Sequence, residues 1–133
     1  MRLGTLLALL SCAFLAACAY KPVLNSEPVS VGRGTLEQYW ILMAIKPMDY
    51  PAHAERKGIE GRVDVSCLID SNGHVIEAEV VESVPAGVFE RSALASARSM
   101  RFMAAPTNRQ RRPARAVRGF EYVMPDVADE EGY

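Results

Sequence analysis

Between Arg62 and Val80 the chain alternates apolar and polar residues in two runs separated by a short polar stretch. Val63, Val65, Cys67 and Ile69 occupy every second position of the first run. Ile76, Ala78 and Val80 do so in the second, with Glu77 and Glu79 between them. A period of two puts alternate side chains on opposite faces, so both runs predict strands with one buried side. Asn72-Gly73 lies between them, and this pair favours a two-residue type I′ turn because both positions need positive φ. Such a turn sets Ile69 against Ile76, Cys67 against Ala78 and Val65 against Val80. A four-residue loop over Asp70–Gly73 keeps the same parity. A three-residue loop would set apolar residues opposite glutamates, so the pattern specifies the register.

A hairpin alone is marginal and needs a cover for its apolar face. Val88 to Phe102 supplies one: Phe89, Ala93, Ala97 and Met100 follow helical spacing, with Glu90, Arg91, Arg98 and Arg101 largely on the other faces. Ala116 to Met124 alternates again, with Phe120 and Tyr122 on one face, and predicts a last strand at a sheet edge. Upstream, Thr35-Leu36-Glu37-Gln38 fits a capping box, and Leu36, Tyr39, Trp40 and Met43 continue at helical spacing. A first helix is therefore expected over 35–45, closed by Lys46-Pro47. Tyr50-Pro51 opens a second short helix through Lys57, with Gly58 as its C-cap. The sum is an α+β fold: a small antiparallel sheet (hairpin 62–82 plus last strand 116–124) packed against two to three helices.

At 133 residues the chain accommodates one domain, placed at 35–124. The formal net charge of −1 excludes a nucleic-acid binder on electrostatic grounds. Met1-Arg2 followed by apolar Leu3–Ala17 reads as an export signal over 1–17. Leu15-Ala16-Ala17-Cys18 resembles the bacterial lipobox, which implies cleavage before Cys18 and lipid attachment to its thiol. Two alternatives stay open: an uncleaved membrane anchor over Leu3–Ala19, and a plain secretion signal. All three place the domain outside the cytoplasm. Ala19 rather than aspartate after Cys18 suggests outer-membrane sorting. Residues 18–34, with Pro22, Pro28, Gly32 and Gly34, read as a linker, and 125–133 as an acidic tail.

Little in the chain asks for catalysis. There is no serine–histidine–acid set, no convergent carboxylate pair, no phosphate-cradling glycine loop and no cofactor motif. Cys67 falls on the apolar face of its strand and reads as a small buried hydrophobe. His53 and His74 lack metal-site spacing and are expected at the surface. Trp40 is expected to pack against the sheet. Arg109, Arg111, Arg112 and Arg115 cluster in the stretch before the last strand. They read either as a solvated loop or as an anion patch for lipid headgroups, lipopolysaccharide or peptidoglycan.

The ordered set Tyr50-Pro51, Ala54, Gly58-Ile59-Glu60-Gly61-Arg62-Val63, Asp70, Gly73, Val75, Phe89-Glu90-Arg91, Ala97 and Arg101-Phe102 resembles the C-terminal domain of the TonB family, over about 39–124. The resemblance implies a periplasmic, non-enzymatic domain. It also implies that the last strand pairs with an extended peptide, the TonB box of an outer-membrane receptor. Val117, Arg118, Gly119, Glu121 and Val123 are the residues this would use, by strand addition. Alternatively the edge is covered by 35–45 or by a second copy in a homodimer. Two departures stand out. The family's long Pro-rich spacer is reduced to Lys21-Pro22 and Glu27-Pro28, and Ala104 stands where the family usually has proline. A lipoprotein would also lack the inner-membrane helix of an energy transducer, which leaves a lipid-anchored interaction module without energy transduction as the other functional reading.

Overall fold

The computed structural model describes residues 19–125. The stretch expected as an export signal, Cys18 and the acidic residues beyond Pro125 lie outside the described residues. The elements are strands β1 (Val29–Val31) and β2 (Trp40–Ala44), helix α1 (Ala52–Lys57), strands β3 (Gly61–Ile69) and β4 (Val75–Val84), helix α2 (Glu90–Ser99), and strands β5 (Arg101–Ala104) and β6 (Ala114–Tyr122). Four strands form one sheet in the order β1-β6-β3-β4, and β2 and β5 pair separately. The architecture is α+β with two helices among the described residues. The sheet is mixed rather than purely antiparallel, because β1 runs parallel to β6.

β3 is the central strand. Val63, Val65, Cys67 and Ile69 are fully buried on one face, as their alternation requires. Phe89, Ala93, Ala97 and Met100 bury against them, and Phe120 and Tyr122 complete that side. Tyr50, Phe89 and Tyr122 form an aromatic cluster: Phe89 stacks on Tyr122 with centroids 4.2 Å apart, and Tyr50 meets both edge-on. The Tyr50 hydroxyl donates to the Ile59 carbonyl at 2.6 Å, which fixes α1 beside the start of β3. Gly58 caps α1 with φ of +63°. Gly61 lies where a Cβ would come within 2.4 Å of the Val84 carbonyl oxygen and 2.7 Å of the Phe89 ring.

The hairpin reaches the expected pairing by an unexpected route. Gly73 N–H donates to Asp70 O at 2.9 Å, Asp70 N–H to His74 O at 2.9 Å, and Gly73 has φ of +82°. This is a three-residue loop with glycine in the left-handed position, not the two-residue turn. Ile69 accordingly faces Val75. Left alone, that parity would expose the apolar face, but Ile76 bulges out and Leu68 then faces Glu77. Cys67 opposes Ala78 and Val65 opposes Val80 as the alternation demands, and a second bulge at Val81 follows.

The first helix is replaced by a single 3₁₀ turn, Leu36–Gln38, followed by β2. Thr35 makes no capping bond; its hydroxyl donates to the Gly32 carbonyl at 2.9 Å. The consecutive apolar run Trp40-Ile41-Leu42-Met43 suits a strand as well as a helix, and pairing with β5 decides it, Trp40 opposing Ala104 and Leu42 opposing Phe102. Trp40 is buried, and its indole N–H donates to Arg112 O at 2.9 Å. Pairing with β2 also ends α2 early. Met100 is already extended, and Arg101-Phe102 belong to β5 instead of the helix.

The stretch expected as a linker is folded onto the domain. Val29–Val31 pair with Ala114–Ala116. Further back, Ser71 N–H donates to Val23 O at 2.7 Å, Asn25 N–H to Ser71 Oγ at 3.1 Å, and the Tyr20 hydroxyl to Asp70. The parallel partners lie more than 80 residues apart, and no short-range pattern announces such a pairing.

Two glycine substitutions separate backbone strain from close approach. At Gly73 a Cβ would sit 1.9 Å from Phe102 O, whereas at Gly34 (φ +79°) nothing lies within 4 Å. Gly34→Ala is expected to cost about 1–2 kcal/mol from its left-handed φ alone. Gly73→Ala is expected to cost about 3 kcal/mol or more, or to abolish folding, because the clash adds to the φ penalty. Chemical denaturation of the two variants checks this; equal losses would refute it.

Candidate functional site

In β6 the backbone polar groups alternate between two sides. Val29 N–H donates to Pro113 O at 2.9 Å, so the groups of Pro113 point toward β1. Alternation carries this outward direction to Arg115, Val117, Gly119 and Glu121, while Arg118, Phe120 and Tyr122 face β3 in the register Val65↔Arg118, Val63↔Phe120 and Gly61↔Tyr122. β1 ends at Val31, opposite Ala116. Beyond it, Gly119 and Glu121 turn their N–H and C=O groups toward no strand among the described residues. The last strand is thus not a sheet edge throughout, as the sequence suggests. Its first third is covered by β1 and its remainder is open.

A groove of about 370 Å³ runs along the open part, lined by Leu42, Ile45–Met48 and Arg118–Glu121. Ile45 and Met48 are exposed along it. The segment 35–45 flanks the edge without pairing to it. Of the residues proposed for peptide contact, Gly119 and Glu121 present backbone to the open side, whereas the outward groups of Val117 adjoin the end of β1 at Val31. Arg118 turns its backbone groups toward β3, lines the groove and approaches Glu37 at 3.5 Å. Val123 is exposed and lies just past the end of β6.

One buried ion cluster braces this edge. Asp64, fully buried on β3, accepts from Arg62 Nε at 3.0 Å and Nη2 at 2.6 Å, and from Arg33 Nη2. Gly119 is the β6 partner of Asp64, and a Cβ there would stand 3.1 Å from Asp64 Oδ1. Arg33, two residues past β1, reaches Asp64 across β6 at the one position that has no side chain. The Arg62 hydrogen bonds, with those of Arg33, hold the Asp64 carboxyl below its usual range despite burial.

The arginine stretch is a shaped turn rather than a free loop. Buried Asn108 accepts from Arg112 N–H at 2.9 Å and donates to Tyr39 O at 3.1 Å, and Arg111 adopts φ of +52°. Arg109, Arg111 and Arg112 are exposed, and Arg109 and Arg112 line a cavity of about 480 Å³ with Tyr39, Pro106, Thr107, Asn108 and Gln110. Arg115 separates from them: it sits on β6 and bonds Glu77 at 2.8 Å. His74 is not the free surface residue expected; it stacks on Tyr20 with centroids 4.0 Å apart. His53 is exposed. Cys67 is buried, and burial pushes its thiol up to about 11, well away from a reactive thiolate. Among the described residues no His, Cys, Asp or Glu group is arranged to hold a metal, and no helix is long and apolar enough to cross a membrane.

Comparison with known proteins identifies the family and the fold. Residues 46–124 match the family described as the Gram-negative bacterial TonB protein C-terminal, and the chain belongs to that family. It is 38% identical over 79 residues to the protein TonB of Pseudomonas aeruginosa, a match covering 59% of this chain and 23% of that protein. It is also 38% identical over 84 residues to the protein TonB of Yersinia enterocolitica, covering 62% of this chain and 32% of that one. The chain therefore spans less than a third of the curated relatives it matches. The solution NMR structure of the Pseudomonas aeruginosa TonB CTD superposes with a TM-score of 0.59 at 26% identity, over 71% of this chain and 93% of that one.

The Asp64 cluster gives a pH prediction. A carboxyl whose folded pKa lies below its unfolded value contributes stability that is complete above the unfolded value and is lost as pH falls through the folded one. Asp64→Asn should therefore be less stable than wild type by a constant margin above about pH 5, and the margin should shrink below about pH 4. Denaturant midpoints measured across this range check it; a margin that grows on acidification would contradict the assignment.

Proposed function

We propose that this domain takes part in TonB-dependent transport at the periplasmic face of the envelope by binding an extended segment of an outer-membrane receptor along the open part of β6. The observation that carries the reading is the pair Gly119 and Glu121, whose outward backbone groups border an apolar groove. Strand addition takes its affinity from main-chain hydrogen bonds, and such an edge offers them unspent. Arg118 and Glu121 flank the track with opposite charges that orient a bound peptide. The role is binding, with no catalytic chemistry. A second copy of this chain is the competing occupant of the edge.

The second reading, a lipid-anchored interaction module without energy transduction, is favoured by the seating of Tyr20–Asn25. If Cys18 carries lipid, only Ala19 separates the anchor from a residue bonded to Asp70. The domain then has almost no tether, so it would act at the membrane that holds it.

Titrating the protein with a synthetic TonB-box peptide from a TonB-dependent receptor, followed by backbone amide shifts, tests the first reading. Shifts should concentrate at Gly119–Val123 and along Ile45–Met48. Glu121→Pro removes one outward N–H while sparing the bonds to β3, and it should weaken binding at least tenfold with amide dispersion retained. Shifts confined to the outer edge of β4, or unchanged affinity in Glu121→Pro, would overturn strand addition at β6.

A further inference from the structure

The hairpin-turn end of the sheet carries three features that belong together. The first is the seated N-terminal segment, which holds Tyr20, Val23 and Leu24 exposed at 45%, 43% and 49% although they are apolar or aromatic. The second is its anchoring: Tyr20 and Val23 bond Asp70, and Asn25 bonds both Ser71 and, through Nδ2, Gln110 O at 2.7 Å. The third is charge. Asn25 brings the arginine turn to this end, and the bridge between His74 and Arg101 brings Arg101. Lys21, Arg101, Arg109, Arg111 and Arg112 are all exposed here, and none has a carboxylate within 4 Å among the described residues. Of the nearby acids among the described residues, Asp70 is buried, Glu77 is occupied by Arg115, and Glu27 is exposed without an ion-pair partner.

We infer that this end of the domain is a membrane-docking face for anionic lipid headgroups. Exposed apolar side chains interleaved with cations suit the headgroup layer, where the apolar groups enter the acyl boundary and the cations meet lipid phosphate. Chain direction supports the same occupant. The apolar stretch Leu3–Ala17 and Cys18 precede Tyr20 with only Ala19 between, so a membrane attachment made there delivers this end, and not the α1 end, to the bilayer. The guanidinium groups recognise phosphate oxygens by paired hydrogen bonds, which lysine alone does not provide. This docking leaves the β6 groove at the side of the molecule, and it does not depend on the receptor reading.

The full chain reconstituted in bicelles tests it, with a gadolinium-chelate lipid as the relaxation probe. In bicelles containing phosphatidylglycerol, the Asn72 and Gln110 amides should broaden several-fold more than those of Lys57 and Gly58 at the opposite end. Replacing phosphatidylglycerol with phosphatidylcholine, or introducing Arg109→Glu, Arg111→Glu and Arg112→Glu together, should cut that difference at least threefold. Equal broadening at both ends overturns the proposal, as would occur if the chain's own acidic C-terminus occupied the arginines. So does a difference insensitive to lipid charge and to the reversals. Loss of binding to isolated peptidoglycan sacculi in the triple variant, with bicelle contact unchanged, would assign the arginines to the cell-wall polymer instead.

Discussion

The Asp70–His74 turn is the constraint on which the rest of the structure depends. One Asp70 carboxylate oxygen accepts the Asn72 and His74 N–H groups, both at 3.0 Å, and the other receives Tyr20 and Val23. Burial alone would raise this carboxyl, but the Tyr20 hydroxyl and the three backbone donors outweigh it and hold the group low. Gly73 then lets the Phe102 backbone approach, and Phe102 N–H donates to Gly73 O at 2.9 Å. A single turn thereby fixes the hairpin, the start of β5 and the path of the N-terminal segment. A residue with a side chain at Gly73 would push β5 away, and β2 with it.

The open edge follows from that arrangement. β1 is only three residues long and covers only Ala114–Ala116. After it the chain turns aside through Gly32–Gly34, while Arg33 reaches back over Gly119 to Asp64. The ion cluster thus braces β6 from its polar face and leaves the outward backbone groups of Gly119 and Glu121 without a strand partner among the described residues. A buried carboxylate shared by two arginines is a costly device for stability alone, since desolvation offsets much of the attraction. Its place beside the open strand suits a part that keeps an unpaired edge rigid.

Much of the fold is legible in the sequence because the hairpin's faces are so clearly marked. The pairings Cys67↔Ala78 and Val65↔Val80 follow from alternation, whatever loop joins the strands. The loop itself was open to several solutions, and a bulge at Ile76 absorbs the difference. Leu36, Tyr39, Trp40 and Met43 fit a helix only because an uninterrupted apolar run also contains helical spacing; pairing with β5 is a long-range contact that no local pattern reveals. The same holds for β1, whose three residues sit in a Pro- and Gly-containing stretch. For the site, the resemblance points to the last strand as the peptide-binding edge. Only the topology shows that part of it is already occupied, and that Arg115 is tied to Glu77 while Arg109, Arg111 and Arg112 stay exposed.

Residue-resolved amide hydrogen exchange of the protein without any partner tests the central claim most directly, because it reads the two sides of β6 separately. The Phe120 and Tyr122 amides, bonded to β3, should be strongly protected, while those of Gly119 and Glu121 should exchange orders of magnitude faster. Uniform protection from Arg118 to Tyr122 would mean that another strand, in cis or from a second copy, already fills the edge, and the account of an open binding strand would be wrong.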